Sequence, residues 1–382
     1  MVKKKKMFFV AVICSVVCIL NTGVSLASET DVLLNKLVEK GQLTSFESQE
    51  VRNEIDVVRQ KEEQKKKEEE SQKKEKDKLQ MKISGYTQLI YVVDPTLGGK
   101  EPLTVKRSRI SFSKMLNDWA SFKIQPDFAG VASATGGGNV AFREAFIELI
   151  ANSDCARFRF GQYHQPFGFE NNFSSSKKKV ADTPQYMSKI LTTDYDYGIQ
   201  WWGNLPGDKS VSWRIAVMNG SGSTTEDNTK KDVAGRLVIA VLNDIEFGAS
   251  AYSRYAGATE KIAMHYGGYF KLETAGLLPC PLFITAEYVT GKDSAGAKDV
   301  TDIITTVEVK PFVNFGILTE IAPVVRHELF KDGSGQQLDY VTVGLNFYID
   351  KSVRVLTDYV VKNEKEKSKD DNRFNIMLQV SY

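Results

Sequence analysis

The chain has 382 residues, of which 42% are hydrophobic and 26% are charged, and its formal net charge is +2. Four lysines lie within the first six residues, so the chain after residue 27 has a net charge of 2 − 4 = −2. A nearly neutral chain lacks the basic surface that nucleic-acid binding requires, so no nucleic-acid partner is predicted. The length is sufficient for one large barrel or for two ordinary domains.

Residues 1–27 are predicted to be a cleaved signal peptide. Lys3–Lys6 form a basic n-region, Met7–Leu20 form an apolar h-region, and Ser25 and Ala27 place small residues where a signal peptidase reads them. The alternative is an uncleaved membrane anchor, but the apolar run is short for a membrane span. We therefore expect an exported protein.

Residues 28–82 are predicted to be a helical, charged periplasmic segment. Val32–Val38 has apolar residues at helical spacing, and the stretch from Arg59 to Lys78 consists almost entirely of Lys, Glu and Gln. Glu and Lys three or four residues apart favour a solvated helix. One interpretation is a coiled coil that joins subunits, and the other is a charged spacer. The scarcity of apolar residues after Arg59 favours the spacer for that part.

From Ile83 to the end, apolar and polar residues alternate with a period of two, which predicts strands. The predicted strands are 83–93, 103–115, 118–129, 139–152, 155–163, 195–203, 210–219, 231–242, 244–256, 262–274, 280–290, 302–311, 315–328, 338–349, 351–362 and 372–382. Many are close to the ~9–11 residues of a membrane strand. The predicted fold is an all-β membrane protein, a closed antiparallel transmembrane β-barrel of about 16 strands over residues 83–382, with a short N-terminal helical or coiled-coil extension.

The links between these strands alternate between short and long. The turns at Leu116-Asn117 and Ser153-Asp154 are tight, whereas the links at 130–138 and 220–230 are longer. The longest link runs from His164 to Tyr195. Short turns at one end and long loops at the other are typical of an outer-membrane barrel, with the short turns in the periplasm. An even strand number then places both ends of the barrel domain on the periplasmic side.

Charged residues in the strands alternate with apolar ones. Arg107 and Arg109 alternate with Ile110 and Phe112, and the same pattern predicts that Val105 shares the arginine face. A charge on the lipid face costs up to ~2–4 kcal/mol at mid-membrane, so the arginines are predicted to face the lumen.

The candidate residues for lining a pore and binding anions are basic residues on the strands and on the long loop. They are Arg107, Arg109, Arg157, Arg159, Arg214 and Arg236 on the strands, and Lys177, Lys178 and Lys179 on the loop. Arginine keeps its charge at any relevant pH and offers planar donors that suit phosphate. Two alternatives stay open. Each wall arginine could pair with a lumen carboxylate such as Asp127, and the lysine run could form a solvated loop tip that faces lipopolysaccharide.

The sequence contains no enzyme signature. His164, His265 and His327 are scattered and lack metal-ligand spacing. There is no nucleophile elbow and no phosphate-cradling glycine loop. Cys155 and Cys280 are predicted to lie on distant parts of the barrel wall, beyond disulfide distance. No catalytic residue, metal or cofactor is therefore predicted.

Several short motifs resemble, in the same order, those of the phosphate-selective porin O and P family. They are 33–41, Arg107-Ser108-Arg109, 127–130, Arg159-Phe160-Gly161-Gln162, Pro166-Phe167-Gly168 with Glu170, 214–220, Glu287-Tyr288 and 344–348. The resemblance implies a trimeric 16-stranded outer-membrane porin with an infolded third loop. Asp194 and Asp196 stand where the family tends to place an arginine, which weakens the expected preference for anions.

The predicted function is a water-filled channel for passive diffusion of small hydrophilic solutes. A preference for anions such as phosphate is expected, with the long loop as the constriction. The alternatives are a non-selective general porin and a surface adhesin or structural barrel with a plugged lumen. The expected partners are small anionic or hydrophilic solutes, outer-membrane lipids and lipopolysaccharide, and two further copies of the chain. The expected location is the outer membrane of a Gram-negative cell, with residues 28–82 in the periplasm.

Overall fold

A computed structural model of the chain describes residues 80–382 except 99, 132–138, 153, 192, 225–227, 243, 257–260, 275–279 and 365–370. Before residue 80 it describes only scattered positions between 36 and 68, most of them helical. The chain divides into two compact units, Met1–Asp77 and Lys78–Tyr382. The predicted signal peptide lies outside the described residues, as does much of the predicted charged segment. Within the described part, no helix has the length and apolar character of a membrane span.

The second unit consists almost entirely of antiparallel strands. They are β1 (Lys82–Val93), β2 (Leu103–Asn117), β3 (Ala120–Asp127), β4 (Ala141–Asn152), β5 (Ala156–His164), β6 (Tyr195–Leu205), β7 (Asp208–Met218), β8 (Asp232–Leu242), β9 (Ile245–Ala256), β10 (Lys261–Glu273), β11 (Leu282–Lys292), β12 (Asp299–Val309), β13 (Phe312–Phe315), β14 (Leu318–Asp332), β15 (Gln337–Tyr348), β16 (Val353–Glu364) and β17 (Arg373–Ser381). Two 3₁₀ turns, Pro95–Leu97 and Ala129–Val131, and one helical turn, Tyr186–Lys189, lie in the links.

The sheet closes on itself. β1 pairs with β2 on one side and with β17 on the other, and the remaining strands pair in chain order. The four-residue β13 pairs only with the start of β14, while β12 pairs directly with the rest of β14. The wall therefore has sixteen long strands, and the predicted closed 16-stranded antiparallel barrel is confirmed.

The chain end seals the barrel against β1. The backbone N–H of Gly85 donates to the carbonyl of Tyr382 at 2.9 Å, and the N–H of Tyr382 donates back to Gly85 at 3.0 Å. A Cβ atom on residue 85 would lie 2.5 Å from the Tyr382 hydroxyl oxygen. Glycine at position 85 thus lets the terminal aromatic ring cross the seam.

Burial alternates along the strands with a period of two. In β14, Val324, Arg326 and Glu328 are buried, whereas Val325 and His327 between them are exposed. The exposed set across the barrel is mainly apolar and aromatic, and the buried set includes many charged residues. Apolar outside and polar inside is the arrangement of a barrel that has lipid around it and water within.

A β-bulge in β2 changes which residues face inward. Gln88 pairs with Arg107, but the next residue, Leu89, pairs with Val105, so Lys106 is the extra residue. Lys106 and Arg107 therefore both project inward, as a bulge permits. Val105 pairs with Leu89, which lies between the inward Gln88 and a buried isoleucine, so Val105 faces outward. The prediction that Val105 shares the arginine face is wrong, because the bulge reverses the alternation.

Candidate functional site

The described residues of 165–194, the link between β5 and β6 without residue 192, lie inside the barrel. Their contacts reach strands on several sides of the closed wall: Gln88 of β1 donates to Ser175 O at 3.1 Å, Arg254 of β9 donates to Ile190 O at 3.0 Å, and Asn346 of β15 donates to Lys179 O at 2.9 Å. A segment that starts at β5 and touches β1, β9 and β15 has to cross the interior. We call residues 165–194 the inner loop.

Carboxylates on one side of the wall hold the backbone of the inner loop. They accept backbone N–H groups as follows: Glu287 from Phe169 and Glu170, Asp302 from Tyr186 at 2.9 Å, Glu328 from Gln185, and Asp358 from Ala181 at 2.8 Å. The acidic residues of β11, β12, β14 and β16 are therefore engaged in fixing the loop.

The Pro166-Phe167-Gly168 motif seats the start of the inner loop. Phe167 is fully buried and packs against Tyr186 and Tyr252, with ring centroids 6.4 and 5.9 Å away. Gly168 has a φ of +72°, and a Cβ there would lie 2.6 Å from the Tyr186 hydroxyl oxygen. Only glycine combines that backbone conformation with that close approach. The motif is thus explained by packing.

Two of the predicted loop lysines form buried ion pairs. Lys178 lies 3.0 Å from Glu170, and Lys179 lies 2.7 Å from Glu308 of β12. Burial raises the pKa of Glu170, but the charges of Lys178 and Arg326, together with the hydrogen bond from Lys178, outweigh burial and hold the pKa below its usual value. Burial lowers the pKa of Lys179. These two lysines lie inside the barrel, which differs from the alternative of a solvated loop tip.

Lys177 and Lys179 line a cavity of about 810 Å³ below the inner loop, toward the short turns. The wall of this cavity adds Lys271, Lys310, Lys351 and Arg354, together with the acidic residues Glu273, Glu320 and Asp350. Two of the lysines are paired there, Lys271 with Glu273 and Lys310 with Glu320. The cavity is therefore basic on balance, but several of its charges are compensated.

Arg107 and Arg109 lie on the inward face of β2. Arg107 donates to the Gln88 side chain at 2.9 Å, and Arg109 lies 2.9 Å from the Asp127 carboxylate. Asp127 also pairs with Arg143 at 3.1 Å. The predicted alternative, pairing of a wall arginine with Asp127, applies to Arg109.

Arg157 and Arg159 share one carboxylate on the neighbouring strand. Glu148 of β4 lies 3.5 Å from Arg157 and 2.6 Å from Arg159. Both guanidinium groups also lie over the Trp202 ring, 4.8 and 4.7 Å from its centroid. These contacts hold both side chains flat against the wall, and the two positive charges face one negative charge.

Arg214 and Arg236, like Arg107, donate to neutral side chains rather than to carboxylates. Arg214 donates to the Asn172 side chain at 3.4 Å, and Arg236 donates to the Tyr269 hydroxyl at 2.6 Å. Among the described residues, neither forms an ion pair with a carboxylate. They are also partners in register on β7 and β8. Their charges remain available to a solute.

Four cations and one carboxylate line a cavity of about 310 Å³ between the inner loop and β1–β7. The lining residues are Arg109, Lys123, Arg159, Arg214, Glu144 and His164, with polar groups from Tyr86, Gln125, Tyr195 and loop residues Asn172, Ser174 and Ser175. Glu144 pairs with Lys123. We call this space the basic cavity. Its lining includes both inner-loop residues and arginines that were predicted from the sequence to line a pore.

Asp196, at the start of β6, contributes little to the charge of the basic cavity. Asp196 is fully buried, and its carboxylate accepts the backbone N–H groups of Tyr197 at 2.7 Å and Gly220 at 2.8 Å. It is not among the residues that line the basic cavity. Its charge is used to hold the start of β6, so it reduces the positive character of the cavity less than the sequence suggests.

Sequence reasoning missed several inward cations. They are Lys106, Arg143, Arg254, Arg326, Arg354 and Arg373. Strict period-two alternation in β16 places Arg354 on the face of Leu356 and Asp358, so that pattern could have found it. Lys106 and Arg143 sit at register shifts, for which the sequence gives no signal.

His265 is held by backbone carbonyl groups, whereas His164 lines the basic cavity. His265 is fully buried, and its ring nitrogens face the carbonyl oxygens of Tyr252 and Lys292. Cys155 and Cys280 are free thiols. Across the described part of the chain, no group of three or more His, Cys, Asp or Glu is placed to hold a metal ion.

Comparison with known proteins agrees with this geometry. Residues 86–262 match the family model of phosphate-selective porin O and P. This match confirms the resemblance that the sequence motifs indicate. The match spans β1 to β9 and so contains the basic cavity wall and the inner loop. The Glu287-Tyr288 and 344–348 motifs lie beyond it. A search of curated protein sequences returned no match.

Solved porin structures share the fold. An anion-selective porin from Comamonas acidovorans has a TM-score of 0.59 at 11% identity, covering 79% of this chain and 99% of the other. OmpF from Salmonella typhi, solved with daunomycin, has a TM-score of 0.59 at 13% identity, covering 80% and 99%. The outer-membrane channel DcaP of Acinetobacter baumannii has a TM-score of 0.57 at 14% identity, covering 79% and 97%. At such identities the likeness concerns the fold alone.

Proposed function

We propose that the chain is an outer-membrane porin that lets small hydrophilic solutes diffuse passively and prefers anions. The observation that carries this proposal is the basic cavity, where the inner loop leaves a space bounded by four cations and one carboxylate. A solute that passes the loop through this space exchanges water for guanidinium and ammonium donors, which favours anions. The family match supports a channel rather than an enzyme.

The inner loop is proposed as the constriction. Its backbone is held by carboxylates on β11–β16, so its other side faces the cations of β2–β7. Four carboxyl groups on β11–β16 are occupied with the loop backbone, while Arg214 on β7 borders open space and, among the described residues, has no carboxylate partner. The predicted Arg107, Arg157 and Arg236 extend the basic wall beyond the cavity itself.

The degree of selectivity depends on compensation by carboxylates. Asp127 pairs with Arg109, Glu148 pairs with Arg159 and Glu144 pairs with Lys123, so three of the four cations that line the cavity have a carboxylate partner. This compensation favours a second candidate, a general porin with weak anion preference. Phosphate selectivity belongs to the description of the family and is proposed here only as the stronger form of the anion preference.

The partners and the N-terminal segment complete the proposal. We propose a homotrimer in the outer membrane, surrounded by lipids and lipopolysaccharide, because OmpT of Vibrio cholerae, which shares the fold, was solved as a trimer. Residues 1–27 would be removed on export. Residues 28–82 would form a helical or coiled-coil spacer in the periplasm, since the short-turn end of the barrel carries its N-terminus.

Planar-bilayer recordings of the purified full-length protein test this function. With a tenfold potassium chloride gradient, an anion-selective channel gives a reversal potential with the same sign as the chloride equilibrium potential. A reversal potential near zero supports the general porin, and one set by potassium overturns the anion proposal. Absence of conductance steps from folded protein would exclude both porin proposals and leave the adhesin or structural barrel.

A further inference from the structure

A row of aromatic rings runs from the barrel wall onto the inner loop. Phe173 of the loop lies nearly parallel to Phe169, with ring centroids 5.0 Å apart, and nearly parallel to Phe283 of β11, with centroids 5.8 Å apart. Phe169 in turn contacts Tyr269 of β10 at 5.0 Å. Ring pairs at these distances stabilise one another beyond the burial of their area. We call these four residues the aromatic row.

The barrel wall fixes the aromatic row. Tyr269 and Phe283 are both buried. The Tyr269 hydroxyl accepts from Arg236 at 2.6 Å and donates to Glu246. The ammonium group of Lys179 lies 4.5 Å from the centroid of the Phe283 ring. The row is therefore in place before any solute arrives, so binding against it costs little ordering of side chains.

Phe173 is the member of the row that reaches open space. It is half-buried and lines the cavity of about 810 Å³ between the inner loop and the short turns, which we call the lower cavity. Its neighbours in sequence are polar, with Asn171 and Asn172 before it and residues 174–176 all serine. Exposed apolar surface is unfavourable in a lumen that holds water. Phe173 thus offers a solute an apolar contact that the neighbouring serines do not.

Residues 172–177 separate the lower cavity from the basic cavity. The side chains divide between the two spaces: Asn172, Ser174 and Ser175 line the basic cavity, and Phe173, Ser176 and Lys177 line the lower cavity. The two cavities have no lining residue in common. A solute that moves from one cavity to the other therefore passes this segment, and Phe173 is the aromatic side chain that it meets there.

The charges of the lower cavity are largely compensated. Three of its lysines are paired with carboxylates: Lys179 with Glu308, Lys271 with Glu273, and Lys310 with Glu320. Among the described residues, Lys177 and Lys351 line the cavity without an ion pair. Charge alone therefore gives this cavity little power to discriminate between anions. A complementary solute has an apolar ring for Phe173 and a single negative charge for the unpaired lysines.

We propose that Phe173 forms a ring-binding subsite for aromatic carboxylates on the side of the inner loop that faces the short turns. This proposal rests on the proposed function, because the solute must enter the lumen, and it adds a solute class that the cations by themselves do not select. A ring that joins the aromatic row gains the interaction between ring quadrupoles, which an aliphatic ring of the same size lacks. The lower cavity also has the size of a small-molecule site, typically about 300–1,000 Å³.

Block of chloride current in planar bilayers tests the proposal with the full-length protein. Benzoate and cyclohexanecarboxylate are titrated separately at constant chloride, because they share charge and ring size and only benzoate is aromatic. In the parent protein the half-blocking concentration should be about fivefold lower for benzoate, as expected for one added aromatic pair. Phe173→Leu should abolish this difference, and Phe173→Tyr should retain it. The matched control is Phe160→Leu, the same change at a residue that is 41% exposed on the outer face of β5.

The parent protein alone can overturn the proposal, if the two anions block it at equal concentrations. A preference for benzoate that survives in Phe173→Leu, or that is lost equally in Phe160→Leu, also overturns it. If Phe173→Leu alters the chloride conductance, the loop has moved and Phe173→Tyr decides: retained preference supports the subsite, and lost preference overturns it. The reversal potential keeps this result distinct from the proposed function, since a chloride-selective channel without a preference for benzoate lacks only the ring subsite.

Discussion

The Nζ atom of Lys179 lies 2.7 Å from the Glu308 carboxylate, where the inner loop meets β12. The Glu308 side chain is fully buried and that of Lys179 is 9% exposed, and Glu308 also accepts hydrogen bonds from Asn346 at 2.8 Å and Tyr348 at 3.0 Å. This pair joins the lysine run of the loop to the wall. A residue that sequence reasoning selected as an anion ligand is therefore also a structural tie.

Glu308→Gln should destabilise the barrel and increase anion preference. Removing one partner of a buried ion pair typically costs about 3–5 kcal/mol, because the other charge is left uncompensated. The freed Lys179 charge borders the cavity below the loop, so chloride permeability relative to potassium should rise. Denaturant unfolding in detergent and the reversal potential measure the two effects. Glu320→Gln is the control, since its pair with Lys310 is more exposed and such pairs contribute about 0–1 kcal/mol. Equal destabilisation by the two variants would contradict the structural role of the tie.

Arg214→Gln should reduce anion preference without loss of stability. Arg214 borders the basic cavity and, among the described residues, has no carboxylate partner, so its removal leaves no charge unpaired. We expect the chloride-to-potassium permeability ratio to fall about twofold, an effect typical of one partly screened charge. The control is Lys331→Gln, which removes an exposed cation on the outer face of β14. If the two variants gave the same reversal potential as the parent protein, the basic cavity would lie off the conduction path.

The strand pattern was predictable because it depends on local alternation. Predicted 231–242 and observed Asp232–Leu242 agree within a residue, and the terminal strand predicted at 372–382 is Arg373–Ser381. β13 was not predicted as a separate strand: its four residues fall between the predicted strands 302–311 and 315–328 and overlap the second only at Phe315. A barrel wall is built from neighbours in sequence, so period and link length contain most of the information needed for it.

The interior was predictable only in part, because it depends on contacts between residues far apart in sequence. The bulge at Lys106 has no signal in the local sequence. The same holds for the hydrogen bond from the Ala181 N–H to Asp358, 177 residues away. Arginine at positions 107, 109 and 159 was found because alternation puts them inward. Of the carboxylates that pair with these arginines, Asp127 was predicted from the sequence and Glu148 was not.

Gly168→Ala should disturb the seat of the inner loop. The backbone there has a φ of +72°, and the new Cβ would meet the Tyr186 hydroxyl at 2.6 Å and the Glu287 carboxylate at 2.8 Å. The left-handed conformation alone costs roughly 1–2 kcal/mol for alanine. Moving Tyr186 adds to this, so open-channel current noise should increase. The control is Gly98→Ala, where φ is +63° but nothing lies within 4 Å of the new Cβ. Equal noise in the two variants would show that the contact with Tyr186 does not position the loop.

Acidification should loosen the inner loop through Glu170. The charges of Lys178 and Arg326 hold the pKa of Glu170 below its usual value despite burial. A carboxyl group whose pKa is lowered by folding contributes stability above its unfolded pKa of about 4.3, and that contribution is lost as the pH falls through the lower folded value. Current noise should therefore rise below about pH 4 in the parent protein. Glu170→Gln should be noisy already at pH 7 and should lack the acid step, because its partner Lys178 faces a neutral group at every pH. An acid step of unchanged size in Glu170→Gln would assign the transition to the wall carboxylates that bind the loop backbone instead.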